Sequence, residues 1–142
     1  MNTRNAMVAL APVVLGVALG LGGCKTQDPN MPPGSPGADT LPGYPQIVAM
    51  DGLGRWIVGE PAIVEHDPGK LMRVTQPIRS ITDTQHLRVQ YRFVYLDSSG
   101  RPMRAQEEWR YIVIPARTQV FLDGNSLSTE AQDWRLEIRS AR

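Results

Sequence analysis

From Leu87 to Phe93 the chain alternates apolar and polar side chains: Leu87, Val89, Tyr91 and Phe93 stand against Arg88, Gln90 and Arg92, and Tyr95 continues the apolar row. Only an extended strand turns a period of two into one apolar face, so this run commits the chain to a sheet with one side buried. Asp97-Ser98-Ser99-Gly100 is turn chemistry, and the apolar pattern resumes from Met103 to Ile114, which predicts a returning strand and a hairpin. On its parity, Trp109, Tyr111 and Val113 fall together as the core-facing row.

Further strands are expected at Thr118–Leu122 and Trp134–Ile138, separated by an Asp123-Gly124-Asn125 turn, with one helical turn at most between Ser126 and Asp133. Upstream, Gln46–Met50, Arg55–Val64 and Lys70–Ile81 are strand-like but interrupted by Gly52, Gly54, Gly59, Pro61 and Pro77. Prolines there suit edge strands or bends, because a proline cannot donate to a ladder. About seven short strands over residues 46–142 fit an all-β, immunoglobulin-like β-sandwich. No cysteine lies in that region, so packing alone must hold it together.

The N-terminal third reads differently. Arg4 precedes an apolar stretch from Ala6 to Leu21, rich in Gly and Ala and short for a membrane span. Leu21-Gly22-Gly23-Cys24 follows, and it resembles the lipobox of bacterial lipoproteins. That resemblance makes residues 1–23 a lipoprotein signal peptide and Cys24, the sole cysteine, the lipid-bearing N-terminus of the mature chain. Several acyl chains, palmitate among them, on one residue give stable anchoring, whereas one chain alone binds marginally. Lys25 occupies the position where lipoproteins kept in the inner membrane often carry Asp, so an outer-membrane anchor facing the periplasm is expected. Residues 24–45 hold Pro29, Pro32, Pro33, Pro36, Pro42 and Pro45 with little to bury, which predicts a disordered linker.

The formal charge is +1, and Arg4 is the one charged residue of residues 1–23, so the mature side chains balance to neutral. Nucleic acid is therefore not an expected partner. The basic residues after residue 23 are Lys25 and Lys70 and otherwise arginines. Guanidinium groups form bidentate pairs with carboxylates, so Arg88, Arg92, Arg110, Arg135 and Arg139 form a candidate partner-binding face, unless glutamates such as Glu108 and Glu137 consume them.

Other constellations are weaker. Glu65-His66-Asp67, with His86, offers metal-ligating types, but neighbours on a strand point to opposite faces and Asp67-Pro68-Gly69 is a turn. No Gly-X-Ser-X-Gly elbow accompanies the histidines, and Asp51-Gly52-Leu53-Gly54-Arg55 lacks the spacing and helix of a phosphate loop. Neither catalysis, nor a metal, nor a cofactor beyond the lipid on Cys24 is expected. Trp109 and Trp134 share parity with apolar neighbours and are assigned to the core.

Taken together, Leu87-Arg88-Val89-Gln90-Tyr91-Arg92-Phe93, Tyr95-Leu96-Asp97, Gly100, Trp109, Ile114-Pro115-Ala116 and Trp134-Arg135-Leu136-Glu137-Ile138 resemble the YcfL-like family of small bacterial lipoproteins over residues 60–140. The resemblance implies a β-sandwich on a lipid tether and supplies no catalytic residues. The expected function is a non-enzymatic binding or structural module of the cell envelope, with an envelope protein or cell-wall component as partner. A periplasmic protein that binds a small ligand or cell-wall peptide is the alternative; a cavity between the sheets would favour it.

Overall fold

A computed structural model describes residues 39–141. The signal peptide, Cys24 and the linker up to residue 38 lie outside the described residues. The domain is all-β, with nine strands: β1 (Asp39–Leu41), β2 (Tyr44–Ala49), β3 (Ile57–Gly59), β4 (Ile63–Glu65), β5 (Arg73–Ser80), β6 (Leu87–Leu96), β7 (Arg110–Ile114), β8 (Gln119–Asn125) and β9 (Asp133–Ser140). They form two sheets. Sheet A has the order β1-β2-β9-β6-β7, in which β2 and β9 run parallel and the other pairs antiparallel. Sheet B centres on β5, which pairs with β8 along one side and with β3 and β4, end to end, along the other.

The sheets pack face to face over the alternating rows. Val89, Phe93 and Tyr95 of β6, Leu136 and Ile138 of β9, and Ile47 of β2 meet Val74 and Ile78 of β5 and Leu122 of β8, all fully buried. Each such side chain contributes about 1.5–3 kcal/mol of apolar burial. Phe93 is the centre of an aromatic cluster, with ring centroids 6.3 Å from Tyr91, 6.3 Å from Tyr95 and 5.9 Å from Trp134. Gly124 of β8 lies so close across the sandwich that a Cβ would sit 2.3 Å from the Phe93 ring. The aromatic cluster thus fills the space between the sheets at this end.

Several local expectations change. Strand structure starts at Asp39, ahead of the boundary expected at residue 46, because Leu41 is buried and the β1–β2 hairpin extends sheet A. Asp123-Gly124-Asn125 is no turn. Gly124 continues β8 opposite Val74, where its missing side chain admits Phe93. The expected strand 103–114 shortens to Arg110–Ile114, and 55–64 divides into a 3-10 turn at Leu53–Arg55, β3 and β4. No helix forms between Ser126 and Asp133. The turn at Asp97–Gly100 is as expected: Asp97 Oδ1 accepts from the Ser99 hydroxyl and from the Ser99 and Arg101 N–H groups, which lowers its carboxyl pKa. Gly100 supplies a φ of 76° there.

Pro77 sits inside the central strand β5, where proline is normally excluded. Its missing N–H faces the break between β3 and β4, at Glu60-Pro61. The buried Gln76 amide takes over the donor role, giving Nε2 bonds of 2.6 Å to the Glu60 carbonyl and 2.8 Å to the Pro77 carbonyl. A side chain thus completes a ladder that the backbone cannot.

Candidate partner-binding face

The outward row of sheet A is set by register. In the β6–β9 pair, Arg92 stands opposite Glu137, Gln90 opposite Arg139 and Val94 opposite Arg135, while Phe93 and Leu136 point inward. Arg88 lies on the same parity of β6 as Gln90 and Arg92 and is exposed. Four of the five candidate arginines therefore share the outer face.

Glu137 is buried on this face and holds two of them: Arg92 donates to its Oε2 at 2.8 Å and Arg135 to its Oε1 at 2.8 Å. Two cations on one carboxylate satisfy a charge that would otherwise be costly to desolvate. Arg139 instead donates to the Gln90 side-chain oxygen at 2.9 Å. Arg88 and Arg139 make no ion pair among the described residues.

Trp109 is not in the core. Its indole lies on the outer face, with the Arg139 guanidinium 4.0 Å and the Arg92 guanidinium 4.6 Å from the ring centroid. Residues 103–109 do not continue a regular strand; they fold back along β6 beyond the end of β7, where the Gln106 side-chain oxygen accepts from the Tyr95 N–H at 3.0 Å and Met103 N–H donates to the Tyr95 carbonyl at 2.9 Å. This loop carries Trp109 over the arginines. Trp134, by contrast, is buried as expected.

The same change of parity reverses β7. Arg110 stands opposite Tyr91 and Ile112 opposite Val89, both inward-facing, so Tyr111 and Val113 face outward beside Gln90 and Arg88. Their exposures are 57% and 40%. Arg110 is thus excluded from the arginine face. Its guanidinium reaches across to sheet B, donating to the Asp123 carbonyl at 2.8 Å and to Glu107 Oε1 at 2.7 Å. The Asn125 N–H donates to that same oxygen at 2.9 Å, so Glu107, not Glu108, is the partner that consumes Arg110. Burial, with the Glu107 charge adding to it, pushes the nearby Tyr95 phenol well above its ordinary pKa, so it stays protonated.

The remaining candidates lie apart. Glu65, His66 and Asp67 are exposed at the end of β4, with Asp67 paired to Lys70 at 2.7 Å, and His86 is exposed just before β6. No group of three metal-ligating side chains forms among the described residues. A cleft of about 230 Å³ is lined by Asp39, Leu41, Gly52, Gly54 and Arg55, at the β1 end of the domain. It is not a space between the sheets.

Sequence reasoning placed Arg88, Arg92, Arg135 and Arg139 together and missed Trp109, Tyr111 and Val113 as members of their surface. No local signal separates Trp109 from a core residue: it stands between Glu108 and Arg110 just as the buried Trp134 stands between Asp133 and Arg135.

Comparison with known proteins places this two-sheet domain. The family described as a protein of unknown function, DUF1425, matches residues 51–140, and the chain belongs to that family. Among solved structures it is similar to Campylobacter jejuni Cj0090, with a TM-score of 0.57 and 22% identity over 68% of this chain and 98% of that one. It is likewise similar to a DUF1425 family member from Shewanella sp. pv-4, with a TM-score of 0.52 and 20% identity over 61% of this chain and 79% of that one. At these identities the likeness shows the fold. No curated protein matches the chain.

Proposed function

We propose that this chain is a lipoprotein of the YcfL-like type, anchored through Cys24 to the outer membrane on its periplasmic side, and that it works by binding rather than by catalysis. The lipobox ending at Cys24 and the proline-rich residues that follow it support the tether. The surface offered to a partner is the outer face of sheet A. The observation that carries this reading is that Glu137 engages only Arg92 and Arg135, which leaves the exposed Arg88 and the Trp109-stacked Arg139 with donors for an outside carboxylate. A guanidinium held over an indole is preorganised, so less side-chain entropy is lost when it pairs. The partner is an acidic envelope component, a protein or a cell-wall peptide that presents carboxylates.

Two measurements test the two halves. Cys24→Ser is expected to abolish incorporation of labelled palmitate and membrane retention, and a variant that still takes up label overturns the anchor. Crosslinked capture from the envelope is expected to yield an acidic partner whose binding weakens as salt rises. The Arg88→Glu/Arg139→Glu protein should lose that partner at least tenfold while His66→Ala keeps it. Equal capture by the double variant overturns the face.

A further inference from the structure

We infer that the free edge of β7 pairs, antiparallel, with β7 of a second copy of this chain, joining two copies of sheet A into one continuous sheet. An exposed edge strand is a template for another chain, and folded proteins normally blunt such edges. In sheet A the other edge is blunted, and in sheet B the edges are blunted in part, the first half of β8 (Gln119–Leu122) staying open. β1 spans only Asp39–Leu41, shifts register after Thr40 and runs into Pro42. The β3–β4 edge is broken at Glu60-Pro61 into two strands of three residues each. The part of β6 that extends beyond β7 is sealed at Tyr95 by Gln106. The second half of β8 is sealed at Asp123 and Asn125 by Arg110 and Glu107. β7 alone in sheet A has neither a charge on its outward row nor a side chain laid along it.

The backbone groups left open on β7 follow from the ladder. Arg88 and Leu96 of β6 turn their carbonyls toward the β9 side, to Ala141 and Gln132, and Tyr95 turns its own toward the β7 side. Odd-numbered residues of β6 therefore bond to β7, so Arg110, Ile112 and Ile114 are the bonded members of β7. The N–H and C=O of Tyr111 and Val113 point away from the domain. They have no partner among the described residues.

That spacing is self-complementary about a two-fold axis at Ile112. Tyr111 then faces Val113 of the second copy and Val113 faces its Tyr111, which closes roughly four backbone hydrogen bonds. On the outer face, Arg88 shares a cross-sheet row with Val113 and with Tyr111 and Gln90 of the second copy, so its neighbours across the joint are uncharged. The two Arg88 residues end up about 16 Å apart, three strand spacings across and two residues along, which is beyond a Debye length at physiological salt. The outward row of the edge is thus apolar, uncharged and matched to itself. The pairing would line up the arginine faces of both copies on one side, but it does not depend on their binding anything.

The test uses the full chain in the envelope, where Ile112→Cys places two thiols across the axis at a Cα separation of about 4.5 Å, within disulfide reach. Mild oxidation is expected to give a species of twice the chain's mass, absent from the protein that carries only Cys24. Phe121→Cys, exposed on sheet B, should give at least tenfold less. Val113→Pro removes an N–H that faces away from β6, so it is expected to leave the melting midpoint within a few degrees of wild type while reducing the Ile112→Cys crosslink at least tenfold. If Val113→Pro unfolds, Val113→Lys keeps the backbone donor, adds a charge to the edge and should reduce the crosslink likewise. A crosslink that survives both, a Phe121→Cys yield equal to that of Ile112→Cys, no dimer at all, or a mixed species with a different protein each overturns the pairing.

Discussion

Sheet A carries an aromatic layer on each side, and the two are built by different rules. Inside, Trp134 lies 5.9 Å from Phe93 and shares its burial with Tyr91 and Tyr95. Outside, Trp109 lies against the guanidinium groups of Arg92 and Arg139, and Arg92 is ion-paired to Glu137. The inner layer gains from removing apolar area from water and from close ring contacts. The outer layer gains from cations over a π face, an attraction that survives partial exposure but is worth less. An indole suits either environment, so what decides is the backbone that delivers it. Trp134 arrives on a strand paired to β6, whereas Trp109 arrives on a loop held to Tyr95 by a glutamine side chain.

The contrast breaks most visibly at Phe93. Phe93→Ala is expected to cost about 3–5 kcal/mol in urea unfolding, because the ring is fully buried and both Trp134 and the backbone of Gly124 rest on it. A loss near 1 kcal/mol would show that the inner layer tolerates a void as the outer one does. Gln106→Ala tests what holds the outer layer in place. It strips the Tyr95 N–H of its acceptor and should cost about 1–3 kcal/mol, together with a fall in protection of that amide in hydrogen exchange. An unprotected Tyr95 amide in the wild type would remove the clasp. The smallest effects belong to the outer layer itself. Trp109→Ala is expected to lose about 1–2 kcal/mol, two cation–π contacts plus some area, and Tyr111→Ala to stay within about 0.5 kcal/mol at low protein concentration. If Trp109→Ala matched Phe93→Ala, the two layers would be energetically alike.

The same comparison explains a recurring device. Gln76, Gln106, and Glu107 with Arg110 each lend a side chain to a backbone group that no strand reaches. A buried N–H or C=O left alone costs about 1–3 kcal/mol, and a sandwich with a proline in a central strand and one in a broken edge has several to cover. Polar residues that look like loop filler in sequence therefore close the sheet edges.

By itself the sequence determined the sandwich class and the faces of β6 and β9, since the alternation over Leu87–Phe93 and over Trp134–Arg139 leaves each strand one apolar side. The outward placement of Arg88, Arg92, Arg135 and Arg139 followed from the same parity. It also carried the turn at Asp97–Gly100, whose chemistry is local. Only the tertiary structure decided the rest. Trp109, Tyr111 and Val113 have the alternation of a core row, but the loop from Arg101 to Trp109 changes parity before β7 begins. That change goes with Gln106 meeting Tyr95 and with Glu107 and Arg110 meeting β8, contacts that join the loop to other strands. Gly124 reads as a turn until Phe93 is seen to need its missing Cβ. Periodicity records which side of a strand is apolar; which strand begins where, and which edge stays open, depends on partners that the local pattern does not encode.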